Sequence, residues 1–91
     1  MADNSEAKDK LWVTVRTRQG LAFEGELKAV SSYNRMGPFD VLGEHANFVC
    51  MIVNKLILRK IDGKEEEINV DKGVMMVERN RVNVFIGIGT L

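Results

Sequence analysis

From Leu11 onward the chain alternates apolar and polar positions with a period of two. Leu11, Val13 and Val15 share one face, and Trp12, Thr14 and Arg16 share the other, the signature of a half-buried strand. Short runs of β-branched and apolar residues recur over Leu21 to Glu24, Leu27 to Ser32, Phe39 to Leu42, Phe48 to Val53, Leu56 to Ile61, Glu66 to Val70, Gly73 to Glu78 and Arg81 to Ile86. Each run predicts a further strand. Turn chemistry separates most of them. Asp62-Gly63 supplies the positive φ angles of a two-residue hairpin, so Ile57 to Ile61 is expected to pair antiparallel with Glu66 to Val70. Arg79-Asn80 is expected to join the last two strands in the same way. Pro38 cannot donate to a ladder and belongs at a strand's first residue or on an edge. With few helical patterns and no alternation of helix and strand, the chain predicts an all-β fold, an antiparallel β-sandwich of about eight to ten short strands.

The alternation fails in two places, Phe48 to Val53 and Val74 to Val77, the latter with Met75 and Met76 at its centre. One explanation is a strand covered on both faces within the domain, or Met used as a gap filler. The other is that one face is core while the opposite one, carrying Val49, Met51 and Val53, docks on another subunit.

The chain has 91 residues, room for one core. Residues 11–91 read as a single domain, and 1–10, polar and without apolar periodicity, as a flexible leader. A domain of this size buries only a little over ~60% of its unfolded surface, so a partner is expected to add to its working stability. Lys plus Arg and Asp plus Glu both number 13, a formal net charge of zero. That removes the electrostatic case for nucleic acid or for an anionic membrane surface. The single cysteine, Cys50, cannot form an internal disulfide and fits its apolar run as a small buried thiol. Neither a signal peptide nor a long apolar run is evident, so the chain reads as soluble and cytosolic, with any membrane connection made through a partner and no direct insertion.

Candidate chemistry is sparse. His45 is the one histidine, and although Asp40 and Glu44 lie near it in sequence, Glu44 and His45 point apart in an extended segment. A corner histidine whose ring nitrogens bond nearby backbone fits better, with a titrating role near its reference pKa of ~6.5 left open. The glycines are dispersed and form neither a P-loop nor a dinucleotide fingerprint. The run from Asp62 to Glu67 reads as a solvated hairpin tip. No catalytic residue, cofactor site or metal site is expected.

Three pieces occur in order: Thr17 to Leu27 with Phe23-Glu24-Gly25-Glu26-Leu27 inside it, Gly37 to Phe48, and Asp71 to Val84. Gly37, Phe39, Val41, Leu42, His45 and Ala46 match a Gly-x-Phe/Leu-Gly-Ile-Leu-Pro-Gly-His-Ala pattern. Leu58-Arg59-Lys60-Ile61 matches a Leu/Ile-Arg-Ile stretch, Val70 with Gly73 and Val77 matches Val-x-Gly-Gly-x-x-Glu-Val, and Asn80-Arg81-Val82-Asn83-Val84 matches a closing Asn-Arg-Val-Thr-Val. Together they resemble the N-terminal β-sandwich domain of the epsilon subunit of rotary ATP synthases, called delta in mitochondria. The resemblance implies a non-catalytic bacterial central-stalk subunit that couples proton flow to ATP synthesis. It would be clamped to the gamma subunit by a hydrophobic sandwich face and would rest on the proteolipid ring through loops at one end. Location would be cytoplasmic, peripheral to the inner membrane through the complex. On this basis the expected partner-binding residues are Asn34, Arg35, Met36, Gly37, Phe39, His45, Val49, Met51 and Val53.

The sequence departs from the family in three ways. The family usually continues into a C-terminal helical hairpin, whereas this chain stops at Leu91. The ring-facing loop, commonly acidic and Gly-rich, is here the neutral to basic Ser32-Tyr33-Asn34-Arg35-Met36. Gly43-Glu44-His45 replaces Pro-Gly-His, and Ile86-Gly87-Ile88-Gly89-Thr90-Leu91 replaces Ala-Asp-x-Ala. These departures accommodate an alternative, a free-standing β-sandwich adaptor serving another complex. Edge strands and an unfilled patch would also allow a weak homodimer.

Overall fold

The computed structural model describes residues 10–43 and 47–87. Of the regions singled out in the sequence, all but the last residue of the leader, together with the Glu44-His45-Ala46 corner and the final four residues, lie outside that set. Seven strands follow in order: β1 (Leu11–Thr17), β2 (Gly20–Leu27), β3 (Ala29–Asn34), β4 (Gly37–Leu42), β5 (Phe48–Arg59), β6 (Glu65–Glu78) and β7 (Arg81–Ile86). They hydrogen-bond in the order β2-β1-β7-β6-β5-β3-β4. Five of the six pairings are antiparallel; β1 and β7 run parallel, Trp12 opposite Arg81 and Val84 opposite Val15. Alternation along a strand is the same in either direction, so the parallel pair had no sequence signal.

There are fewer strands than expected because two of them are long. β5 joins the predicted runs Phe48 to Val53 and Leu56 to Ile61, and β6 joins Glu66 to Val70 with Gly73 to Glu78. The register between them shifts from Ile52 opposite Gly73 to Asn54 opposite Val70, so β6 carries an extra residue there. Such a bulge bends a strand and raises its twist. It also reverses side-chain parity: Gly73, Met75 and Val77 are buried on one side of Asp71-Lys72, and Val70 on the other. Asn54 adopts a left-handed φ of 77° at the same place, a conformation that Asn tolerates better than most residues. Past this bend β5 pairs with β3, from Tyr33 opposite Val53 to Ala29 opposite Arg59. The ends of β5 and β6 therefore serve different parts of the continuous sheet, which folds over as a sandwich.

The β5–β6 connection corrects the expected two-residue hairpin. Gly63 N–H donates to Lys60 O at 2.9 Å and Lys60 N–H to Lys64 O at 2.7 Å, so the loop spans Ile61 to Gly63. Only Gly63, at φ 94°, has a positive φ in this loop. Asp62 instead uses its side chain, Oδ1 accepting Lys64 N–H at 2.9 Å, which is the usual role of Asp in a turn. The β6–β7 turn is the expected two-residue one, with Glu78 opposite Arg81 and Arg79 at φ 58°.

Every strand contributes to one apolar cluster. Leu11, Val13 and Val15 of β1 meet Leu27, Val30, Val41, Ile52, Leu56, Leu58, Met75, Val82 and Val84, all fully or almost fully buried. Phe23, Phe39, Phe48, Cys50, Ile68 and Ile86 pack around it, half-buried. This burial is the main stabilising term in a small domain.

Candidate docking face

Along β5 the even-numbered residues Phe48, Cys50, Ile52, Leu56 and Leu58 turn toward the core. Val49, Met51 and Val53 consequently project outward and stay 65%, 51% and 40% exposed. Register carries the face across the sheet. Val49 stands opposite Met76 and Met51 opposite Val74 on β6; Met76 in turn faces Asn83, and Val74 faces Phe85, on β7. Met76 is 44% exposed. Cross-strand neighbours of this kind lie within side-chain contact distance, so the β5–β6 part of the face is a continuous apolar strip.

Toward β1 the face turns polar. Asn83 is opposite Thr14, and Phe85 opposite Arg16, whose guanidinium carbon sits 5.9 Å from the Phe85 ring centroid. This is within cation–π range. Thr14 is buried, and its hydroxyl donates to Glu24 Oε2 at 3.3 Å. Trp12, opposite Arg81, is part of the same outward side and remains 42% exposed.

A second exposed feature adjoins the strip. The β3–β4 hairpin turns at Arg35-Met36, with Met36 N–H donating to Asn34 Oδ1 at 2.8 Å and Gly37 at a φ of 123° that disfavours any other residue. This leaves Met36 94% exposed. Asn34, Arg35 and Met36 line a shallow, largely apolar recess together with Cys50 and Met51. The fold thus brings the hairpin tip of the expected partner-binding set together with Met51 of β5. Phe39 does not join them: it packs on the core, its ring edge-on to Phe48 at a centroid separation of 6.4 Å. His45 lies outside the described residues.

Met76, Val74, Phe85 and Trp12 belong to the face but were not named from sequence. The Val74 to Val77 run had signalled a second apolar side. Which methionine faces outward depends on parity after the bulge at Asp71-Lys72, and the polarity of those two residues was the one available hint. Among the described residues no group of three or more His, Cys, Asp or Glu could hold a metal. The Cys50 thiol is pushed above its ordinary pKa by burial, which keeps it protonated and poorly nucleophilic. No helix among the described residues is long and apolar enough to cross a membrane.

A folded-over β-sheet with a filled core and an apolar strip left on its outer side defines a β-sandwich domain suited to protein contact. The chain belongs to the family described as ATP synthase, Delta/Epsilon chain, beta-sandwich domain, whose model matches residues 10–87. An ATP synthase epsilon chain from Nitratiruptor sp. is 30% identical over 79 residues, covering 86% of this chain and 61% of the relative. One from Clostridium botulinum (strain Eklund 17B / Type B) is 27% identical over 64 residues, covering 69% and 48%. The chain thus spans about half to three-fifths of the length of these curated relatives. The same fold occurs in the Euglena gracilis mitochondrial ATP synthase, in a structure of OSCP, F1 and c-ring, with a TM-score of 0.80 at 16% identity over 86% of this chain and 51% of that one. It recurs in the central stalk and c-ring of the Tetrahymena thermophila mitochondrial enzyme, with a TM-score of 0.69 at 13% identity over 87% and 64%.

Proposed function

We propose that this domain is the non-catalytic central-stalk sandwich of a rotary proton-translocating ATP synthase, docked on the gamma subunit through the strip of Val49, Met51, Val53 and Met76. The observation that carries the reading is that strip, solvent-exposed in a chain of the delta/epsilon family. A domain that transmits torque needs a dry, well-packed contact with the shaft, and outward apolar side chains on a rigid sheet supply one. The hairpin tip Asn34 to Gly37, at the margin of the strip, is assigned to the polar loops of the proteolipid ring. The domain would then sit at the cytoplasmic side of the inner membrane, held there by the complex.

The test is capture of purified gamma subunit by tagged protein, wild type against Met51→Asp. Met51 is half exposed and contributes little to the core, so the variant should keep the wild-type circular dichroism and melting temperature. Placing a carboxylate in a dry interface should cost about 2 kcal/mol or more, on the order of thirtyfold in Kd. Unchanged capture would refute the choice of face. The basic tip at Arg35, where the family's loop is commonly acidic, favours a second reading, an adaptor for another complex. Failure of the wild-type protein to bind gamma, with recovery of an unrelated complex from lysate, would decide for it.

A further inference from the structure

Three methionines distant in the sequence lie close together, Met51 and Met76 on the docking strip and Met36 at its margin. Met51 and Met76 are diagonal neighbours, since Met51 is paired with Val74 and Met76 with Val49, and such residues lie about 7–8 Å apart at Cα, within reach of long side chains. Met36 shares its recess with Met51. Their exposures are 94% for Met36, 51% for Met51 and 44% for Met76, whereas Met75, next to Met76 in sequence, is completely buried. An exposed thioether is open to two-electron oxidation, and the sulfoxide is polar and hydrogen-bonding where the thioether was apolar. The neighbouring Cys50 is half-buried, and its thiol is held protonated by burial.

We infer that Met36, Met51 and Met76 form a peroxide-sensitive modification site that makes association of this subunit dependent on their reduction. The inference rests on the docking reading given above. In each event the sulfur lone pair attacks one oxygen of hydrogen peroxide and the O–O bond breaks. Sulfur gains that oxygen and is oxidised, while the other oxygen leaves as hydroxide and takes the proton from the transferred oxygen to become water, both peroxide oxygens being reduced. Sulfoxides at Met51 and Met76 turn the apolar strip polar, and one at Met36 does the same to its margin, while the core around Met75 stays intact. The free subunit then loses its partner without unfolding. Once assembled, Met51 and Met76 are covered and protected.

The full chain, in a Cys50→Ala background, is treated with graded hydrogen peroxide, and each methionine is followed by fragmentation mass spectrometry. Melting temperature and capture of purified gamma subunit are measured on the same samples. Oxidation of Met36, Met51 and Met76 should run at least on the order of tenfold faster than that of Met75. Capture should weaken by roughly tenfold for each of Met51 and Met76 converted, in keeping with the worth of a buried methionine. In the near-isosteric variant Met36→Leu/Met51→Leu/Met76→Leu, whatever its affinity for gamma before treatment, peroxide should leave that affinity unchanged. Methionine sulfoxide reductase should restore the oxidised wild type. Oxidation of Met75 in step with the others, or capture that survives complete sulfoxide formation on the three, would overturn the inference alone. Absence of capture before any peroxide would overturn the docking reading and this inference with it.

Discussion

Substituting Gly73 by alanine should destabilise the domain through backbone approach alone. Gly73 is buried where β6 leaves its bulge, opposite Ile52 on one side and Ile86 on the other. A Cβ added there would lie 2.9 Å from Phe85 O and 3.2 Å from Ile52 Cγ1, against ordinary contacts beyond about 3.4 Å. The nearer atom is a main-chain oxygen of β7 and cannot rotate away. Ile52 is fully buried, so its side chain cannot swing out into solvent. Relief therefore requires the β6–β7 spacing to widen, and overpacking of this kind costs about 1–3 kcal/mol. Against this, alanine reduces the freedom of the unfolded chain, returning about 0.4–1 kcal/mol. The midpoints of the two ranges leave a net loss of about 1.3 kcal/mol. In a domain of this size that lowers the melting temperature by about 5–10 °C, with an unchanged denaturant slope. Gly25→Ala is the control, because its added Cβ would meet only the Phe23 ring at 3.5 Å; it should be neutral or slightly stabilising. Thermal and urea denaturation of the two variants and the wild type make the comparison. A Gly73→Ala midpoint equal to or above that of wild type would show that β6 and β7 are not packed as described.

Two further outcomes follow from the same structure. Because burial raises the Cys50 pKa, the folded chain keeps this proton where the unfolded chain would lose it. Its contribution to stability is fully present below the unfolded thiol's pKa and disappears as pH rises through the folded value. The rate of iodoacetamide labelling of the folded protein should therefore be displaced to higher pH than that of the urea-unfolded chain; coincident profiles would contradict it. On the β5–β6 hairpin, Arg59–Glu65 at 2.9 Å, Lys60–Glu66 at 3.2 Å and Lys55–Glu67 at 3.5 Å form a ladder of ion pairs whose side chains are 38–55% exposed. Pairs this solvated contribute about 0–1 kcal/mol each. Sodium chloride at about 1 M, which shrinks the screening length to ~3 Å, should therefore alter unfolding free energy by less than about 3 kcal/mol, and a larger loss would mean the ladder is a principal support of the hairpin.

Much of the fold is legible along the chain because strand alternation is a local property. Leu11, Val13 and Val15 are buried as their spacing requires, and Arg79-Asn80 turns where expected. What escaped was relational. The parallel pairing of β1 with β7 depends on how strands distant in sequence meet. The continuity of β5 and β6 was hidden because Asp71-Lys72 and Asn54-Lys55 look like loop chemistry, whereas the chain uses them for a bulge and a bend. At Asp62-Gly63 the dipeptide marked the right place and the wrong loop length, since Asp62 spends its side chain on Lys64 N–H instead of taking a positive φ. Phe39 stood in the expected contact set; it is half-buried against the core, edge-on to Phe48.

The bulge also decides which residues hold the domain together and which are left for a partner. Met75 and Met76 are adjacent and chemically identical, yet one is wholly buried and the other is on the outer strip. Shifting the register of β6 by one residue would exchange them and expose Gly73 and Val77 as well, since side-chain direction has a period of two. Such a slip would empty the core in order to fill the face. The inward set of Gly73, Met75 and Val77 therefore pins the register, and the outward set of Val74 and Met76 is fixed with it. The apolar strip cannot fold inward to escape water, because the inward positions of the same strands are already occupied. Covering it requires something beyond the described strands, which is why a well-packed small core and an uncovered outer face can coexist among the described residues.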